Sequence, residues 1–171
     1  MSDTFITIIA VIAVALVMFI FPVMATANQN DSITQASVQT MVAEFVNKAA
    51  KEGKITNSNY EEFLQKLDAT GNTYAVELEV QHLDDNPGNK GSGIDVIGEN
   101  IYYSVYTNVI ETKIKSDNSY QLYKGDYVKA KVENTNVTFG TQMKNFLYSV
   151  MGKDTIAIEA SASALVTTNA R

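Results

Sequence analysis

The strongest hydrophobic pattern lies at the start of the sequence. Phe5 to Met24 form an uncharged stretch of 20 residues, interrupted only by Thr7 and Pro22. At about 1.5 Å per residue, a helix of this length spans roughly 30 Å, which is the thickness of the hydrocarbon core of a bilayer. We therefore predict a helix that enters a membrane, at least transiently.

Three fates of this helix are open. It is retained as an anchor, it packs against copies of itself in a filament, or it is removed as a signal peptide at the small-x-small motif Ala25-Thr26-Ala27. The length of the apolar stretch and the lack of Lys and Arg before it favour the first two fates. At Pro22 we predict either the end of the helix at the membrane surface or a hinge that tilts the following domain against the anchor.

A one-sided helical pattern follows a polar neck. Apolar residues recur at helical spacing, which predicts an amphipathic helix from Ser32 to Glu52 that can continue from the membrane helix. The residues of this stripe are Val38, Met41, Val42, Phe45, Val46 and Ala49. A capping box, Ser58 with Glu61, predicts a second helix that ends at Gly71.

Alternating apolar and polar residues predict three strands, at 74–81, 128–133 and 156–167. Further helices are predicted at 94–115 and 141–151. The last strand carries an alanine face that a helix can approach closely. The fold class is therefore α+β: a long N-terminal helix, transmembrane and then amphipathic, packed on a small antiparallel sheet. We divide the chain into a transmembrane or filament-core helix (1–27) and a soluble extracellular α+β domain (28–171).

Charge and composition exclude several classes of function. The formal net charge is −6, which disfavours nucleic acid and anionic lipid headgroups as partners. The chain has no cysteine, which excludes disulfides, thiolate zinc sites and cysteine nucleophiles.

The sequence contains little that suggests catalysis. His82 is the only histidine, and no Ser-x-x-Lys or phosphate-binding Gly-rich loop occurs. The segment from Asp84 to Asp95 has the length of a calcium loop, but Gly88 and Lys90 stand where oxygen ligands are needed. We predict no enzymatic activity, no cofactor, no metal and no small-molecule substrate.

Nine tyrosines are present, and tyrosine suits interfaces because its ring is apolar and its hydroxyl polar. Tyr102, Tyr103 and Tyr106 are too closely spaced to face one core together. At least one of them is expected on the surface, as a possible subunit contact.

The arrangement resembles type IV pilin-like proteins, in which an apolar N-terminal helix continues into an amphipathic helix packed on an antiparallel sheet. The C-terminal third, YKGDYVKAKVENTNVTF, then QMKNFLYSVMG, then DTIAIEASASALV, is similar to the end of Tad-type (tight-adherence) pseudopilins of Gram-positive bacteria. Thr4 stands where a type IV prepilin has its Gly before the cleavage site, and Ile9 stands where the mature helix has its Glu. These differences favour a pseudopilin, a minor subunit or a divergent filament protein over a major pilin.

The resemblance implies a structural subunit of a surface filament or of a secretion or pilus machine. Its partners would be itself or other pilin-like subunits, with the membrane contacted through the N-terminal helix. It would be a single-pass membrane protein, an extracellular filament protein, or both. The helix residues expected to mediate assembly are Phe5, Ile8, Ile9, Ile12, Val14, Leu16, Phe19 and Pro22. The alternative is a monomeric membrane-anchored or secreted binding or adhesion module.

Overall fold

The computed structural model describes residues 2–83, 102–138, 141–142, 145 and 158–169. The chain divides into two compact units. One comprises Met1–Ala36 with Val137–Ile158, and the other comprises Ser37–Asn136 with Glu159–Arg171. The described chain forms three helices and six strands: α1 Ser2–Glu52, β1 Lys54–Thr56, α2 Asn57–Asp68, β2 Tyr74–Leu83, β3 Tyr102–Tyr106, α3 Thr107–Asp117, β4 Ser119–Gln121, β5 Tyr127–Asn134 and β6 Glu159–Leu165.

Helix α1 confirms that the apolar and amphipathic patterns form one continuous helix, which contributes to both units. In the second unit, the predicted stripe is buried in the core through Val38, Val42, Phe45, Val46 and Ala49. The helix stops at Gly53, whose positive φ of 67° few other residues adopt without strain, and whose N–H donates to the carbonyl of Ala49.

The central element of the second unit is a four-stranded antiparallel sheet with the order β3-β2-β5-β6. We call its buried side the inner face; it presents Leu78 and Val80 of β2, Val128 of β5 and Ala160 of β6 to the same core as the α1 stripe. Gln39 Nε2 of α1 donates to the carbonyl of Ser161 at 2.9 Å. The predicted α+β class, with the helix stripe and the alanine face in one core, is therefore confirmed.

The opposite side, which we call the outer face, carries alternating charge. Lys129 lies beside Glu79 of the neighbouring strand at 3.5 Å, and Lys131 beside Glu159 at 3.2 Å. This is the polar side that the alternating pattern of β2 and β5 predicted.

The predicted helix at 94–115 is wrong in its middle part. Tyr102–Tyr106 form β3, and helix α3 begins only at Thr107, while residues 94–101 lie outside the described residues. The longer helix was predicted from a helical repeat of Ile101, Val105, Val109 and Ile110. Of these, Val105 lies in β3 and Val109 is exposed, and the buried side of α3 carries Ile110 and Ile114. Aromatic and β-branched residues favour a strand here, and pairing with β2 stabilises it.

Two short strands were not predicted. β1 and β4 form a separate antiparallel pair in which Ile55 lies opposite Tyr120. Each strand has three residues, which is too short for alternation to be recognised. The final predicted strand is shorter than expected, and of the predicted helix at 141–151 only residues 141, 142 and 145 are described, as helical.

The start of α2 differs from the predicted capping box. The N-cap is Thr56, whose hydroxyl accepts a hydrogen bond from the N–H of Asn59 at 3.2 Å. Ser58 lies inside the helix and is exposed, and Glu61 instead accepts from the side chain of Asn57 at 2.8 Å. The cap lies two residues earlier because strand β1 ends at Thr56 in the extended conformation that an N-cap requires.

This assignment predicts different effects for two similar substitutions. Thr56→Ala removes the capping hydroxyl and should lower the free energy of unfolding by about 1 kcal/mol. Ser58→Ala should change it by less than about 0.5 kcal/mol, since the side chain is exposed. Urea unfolding of the full chain in detergent micelles, followed by circular dichroism, checks both; a larger loss for Ser58→Ala would contradict the assignment.

Candidate functional site

The apolar part of α1 is uncovered in the first unit. Phe5 and Val14 are 66% and 64% exposed, and they lie on opposite sides of the helix, about 180° apart at 3.6 residues per turn. α1 is the one helix among the described residues that is long and apolar enough to cross a membrane. Such a helix needs lipid or apolar protein on every side.

The predicted assembly residues do not converge on a pocket. They are exposed and distributed around the helix, and the side chain of Leu16 lies outside the described part of the structure. The exposed members are Phe5, Ile8, Ile9, Ile12, Val14, Phe19 and Pro22.

Pro22 does not end the helix, so the first of its two interpretations is wrong; α1 continues beyond it for several turns. The threonine hydroxyls in and next to the apolar stretch form hydrogen bonds to carbonyl groups of the same helix. Thr7 Oγ1 donates to the carbonyl of Asp3 at 2.8 Å, and Thr26 Oγ1 donates to that of Pro22 at 3.0 Å. Bonds of this kind let a hydroxyl enter an apolar environment without a partner from another helix.

The three neighbouring tyrosines alternate along β3. Tyr103 is 56% exposed on the inner-face side, where its ring lies 5.3 Å from that of His82. Tyr102 is on the outer face, where its ring contacts that of Tyr127 edge-on at 5.4 Å. Tyr106 is 60% exposed. The prediction that at least one is on the surface is confirmed, and their role as a subunit contact stays a prediction.

The most concentrated chemistry in the second unit surrounds His82, which is only 5% exposed. Its Nδ1 lies 2.7 Å from Asp126 Oδ2, and its Nε2 lies 2.6 Å from the hydroxyl of Tyr120. Asp126 is 1% exposed and also accepts from the backbone N–H of Leu83 at 3.1 Å and of Tyr123 at 2.7 Å. Three donors converging on one buried carboxylate stabilise its charge.

The hydrogen bonds indicate the tautomer. Because the Asp126 carboxylate accepts, His82 donates from Nδ1, and in the neutral ring Nε2 then accepts the proton of the Tyr120 hydroxyl. Burial raises the pKa of Tyr120 to about 12, with smaller contributions from Tyr103 and Asp126. Every polar atom of the set is therefore paired.

This Asp–His–Tyr arrangement has the connectivity of a hydrolase relay but not its accessibility. Both ring nitrogens of His82 are engaged, and a phenol with a raised pKa is a poor nucleophile at neutral pH. The geometry supports a structural role for His82. Asp126 and Tyr120 were not singled out from the sequence; the only signal was that Asp126 ends the turn before a strand.

A second tyrosine joins two helices. The hydroxyl of Tyr60 on α2 donates to Glu111 on α3 at 2.7 Å, and burial together with this carboxylate raises the pKa of Tyr60 well above its usual range. No group of three or more His, Asp or Glu side chains lies close enough to bind a metal in the described ranges. The calcium-length segment from Asp84 to Asp95 lies outside them.

Comparison with known proteins finds no similar family. No protein-family model, characterised protein or solved structure matches this chain.

Removing the buried carboxylate should destabilise the second unit strongly. Asp126→Ala leaves His82 and two backbone N–H groups without an acceptor and should lower the free energy of unfolding by about 3–5 kcal/mol. Asp126→Asn keeps one acceptor oxygen and should cost less. The exposed Asp68→Ala is the control, expected within about 0.5 kcal/mol. Equal effects of Asp126→Ala and Asp68→Ala in thermal unfolding would refute this role.

Tyr120 should also make stability depend on alkaline pH. Its folded pKa of about 12 exceeds the ordinary value of 10.0, so its contribution is fully present below pH 10 and is lost as pH rises toward 12, where only the unfolded chain releases the proton. Between pH 10 and pH 12, the free energy of unfolding of the Tyr120→Phe variant should therefore fall by less than that of the unmodified chain. Urea midpoints measured near both limits check this; identical losses would show that Tyr120 does not titrate differently on unfolding.

Proposed function

We propose that this chain is a structural subunit, a pilin-like or pseudopilin protein that assembles into a surface filament or a secretion or pilus machine through its apolar N-terminal helix. The observation that supports this most directly is the first unit's exposed apolar helix, continuous with a helix that is built into the core of an α+β domain. A cleavable targeting segment has no need to be continuous with a core helix.

Apolar side chains are exposed all around the helix, which favours an assembly in which each helix contacts several neighbours. A two-copy contact covers one side of a helix, whereas Phe5 and Val14 require cover on opposite sides. In a membrane, lipid provides it. Outside a membrane, each Å² of exposed apolar surface costs roughly 25 cal/mol, so copies that leave lipid together gain by packing their helices in a bundle.

The cysteine-free second unit fits a domain presented outside such a bundle. It is stabilised by its own hydrophobic core and by the paired Asp126 and His82. In this proposal the protein is a single-pass membrane protein, an extracellular filament subunit, or both in succession. Its partners are other copies or related subunits, and Tyr102, Tyr103 and Tyr106 lie at the boundary between them.

A charge in the apolar helix should prevent assembly. Val14→Asp places a carboxylate at an exposed position near the middle of the apolar stretch, at a cost of about 2.5–3.5 kcal/mol in an apolar environment. We expect the yield of filaments sheared from cells and sedimented to fall at least about tenfold, since a 1.4 kcal/mol change already shifts an equilibrium tenfold.

Two controls make this test specific. Val14→Leu keeps the helix apolar, and Val109→Asp places the same charge at a similarly exposed valine of the second unit; both should assemble. Resistance of the Val14→Asp chain to alkaline extraction from membranes shows that it is inserted. Normal filaments from that variant would contradict the proposal, as would native material that begins at Asn28 or remains monomeric in cross-linked membranes.

A further inference from the structure

The two edge strands of the sheet have few of the features that usually prevent edge pairing. β3 contains no charged residue or proline, and the only charged residue of β6 is its first one, Glu159. Both strands pair with their neighbours in unbroken register over their whole length. A bulge lies only after β6, where Val166 is bonded to both Gly125 and Asp126. Soluble proteins commonly protect sheet edges with charge, proline or bulges, because an open edge binds another strand.

Within the described ranges, the edge of β6 away from β5 exposes the main chain of Ser163, Leu165 and Thr167. Val166 bonds toward β5, since its N–H donates to Asp126 at 2.8 Å and its carbonyl accepts from Gly125 at 2.9 Å. By strand alternation, its two neighbours point away from β5. The carbonyl of Ser161 accepts a hydrogen bond from Gln39. Among the described residues, no group is bonded to the main chain of Ser163, Leu165 or Thr167 on this side.

The free edge of β3 is defined in the same way. Where β3 ends, Thr107 Oγ1 accepts from the N–H of Leu78 on β2 at 2.8 Å, so the even-numbered residues of β2 point toward β3. Val80 and His82 therefore bond to their partners on β3, which are Val105 and Tyr103. The alternate residues of β3, which are Tyr102, Ser104 and Tyr106, therefore point to the edge away from β2.

We propose that β6 of one copy pairs with β3 of the next copy, so that the sheets of neighbouring subunits join edge to edge. This rests on the proposed function, because copies anchored by one helix in one membrane share an orientation. In each sheet β3 and β6 run in opposite directions. Copies related by a translation therefore bring β6 of one against β3 of the next in the antiparallel sense, which is the more stable type of pairing.

The register follows from the groups that are free. Gln39 blocks the edge at Ser161, so pairing begins at the next outward-pointing residue. Ser163 then lies opposite the neighbour's Tyr106, Leu165 opposite Ser104, and Thr167 opposite Tyr102. Leu165, which is 47% exposed, fits between the two tyrosine rings beside a small serine. Aromatic and aliphatic neighbours of this kind stabilise a strand pair.

This contact uses two different surfaces, so it does not stop at a dimer. A contact between unlike edges repeats from copy to copy and forms an extended chain or a ring of subunits, whereas a pairing of two like edges stops at a dimer. The half-buried Tyr102 and the exposed Tyr106 become part of a defined interface, which deepens their role as a subunit contact.

Disulfide cross-linking tests the pairing cleanly, because the chain has no cysteine. In membranes from cells producing the full chain, Ser104→Cys combined with Leu165→Cys should give a ladder of dimers, trimers and longer products on mild oxidation. Opposite residues in such a pair are about 5.5 Å apart, within disulfide reach. Within one copy these residues lie on opposite edges of the sheet, about 14 Å apart over three strand spacings, which is too far.

Three controls define the interface. Either single-cysteine variant alone should remain monomeric. Adding Ser163→Pro to the double variant removes an outward N–H without breaking a bond to β5 and should reduce the ladder at least about tenfold, as expected when an edge N–H is lost. The matched Ser163→Ala should keep the ladder.

The outcomes separate this pairing from the proposed function. A ladder from the double variant that Ser163→Pro removes supports the pairing. Dimers from Leu165→Cys alone would instead show two β6 strands in contact and overturn it. If the double variant forms sedimentable filaments without a ladder, the pairing is wrong while the filament proposal stands; if neither filaments nor a ladder form, both fail.

Discussion

Burial of one stripe of α1 against the inner face of the sheet is the contact on which the second unit depends. Leu78, Val80 and Val128 face the core from the two central strands, and the alanines of β6 leave room for a helix close by. Val42 and Val46 of α1 belong to the same core and are almost completely buried. The same helix is apolar on all sides in its first part, from Phe5 to Met24. One element therefore meets two requirements: complete apolar surroundings in its first part, and a single covered side in its second.

Asp126 is the polar counterpart of that apolar contact. Its carboxylate joins the end of β2, through His82 and Leu83, to the turn before β5, and its main-chain oxygen binds Val166 after β6. Three segments distant in the sequence meet at one buried charge, which is tolerated because it is paired and fully hydrogen-bonded. Such a charge disfavours slipped strand registers, since a shift by one residue would leave it unpaired.

Most of the fold could be predicted because its long elements carry strong periodicity. The α1 stripe, β2 and β5 each repeat their pattern often enough to be recognised. β1, β4 and the true N-cap at Thr56 could not be predicted, since each depends on a partner distant in the sequence. The Asp126–His82–Tyr120 contacts were missed for the same reason: single polar residues show no period, and only the folded sheet brings them together. The apolar helix residues were recognised by composition alone, which does not define what covers them.

The position of β6 at the sheet edge next to β5 has a consequence for biogenesis. The ribosome makes α1 before the strands that cover it, and Ala160 completes the core around the helix's stripe only after nearly all described strands have been synthesised. Contacts between segments so far apart in sequence form slowly. During translation, the nascent chain therefore holds an uncovered stripe next to an apolar helix, and prompt insertion of that helix into the bilayer would keep nascent chains from aggregating while the domain matures.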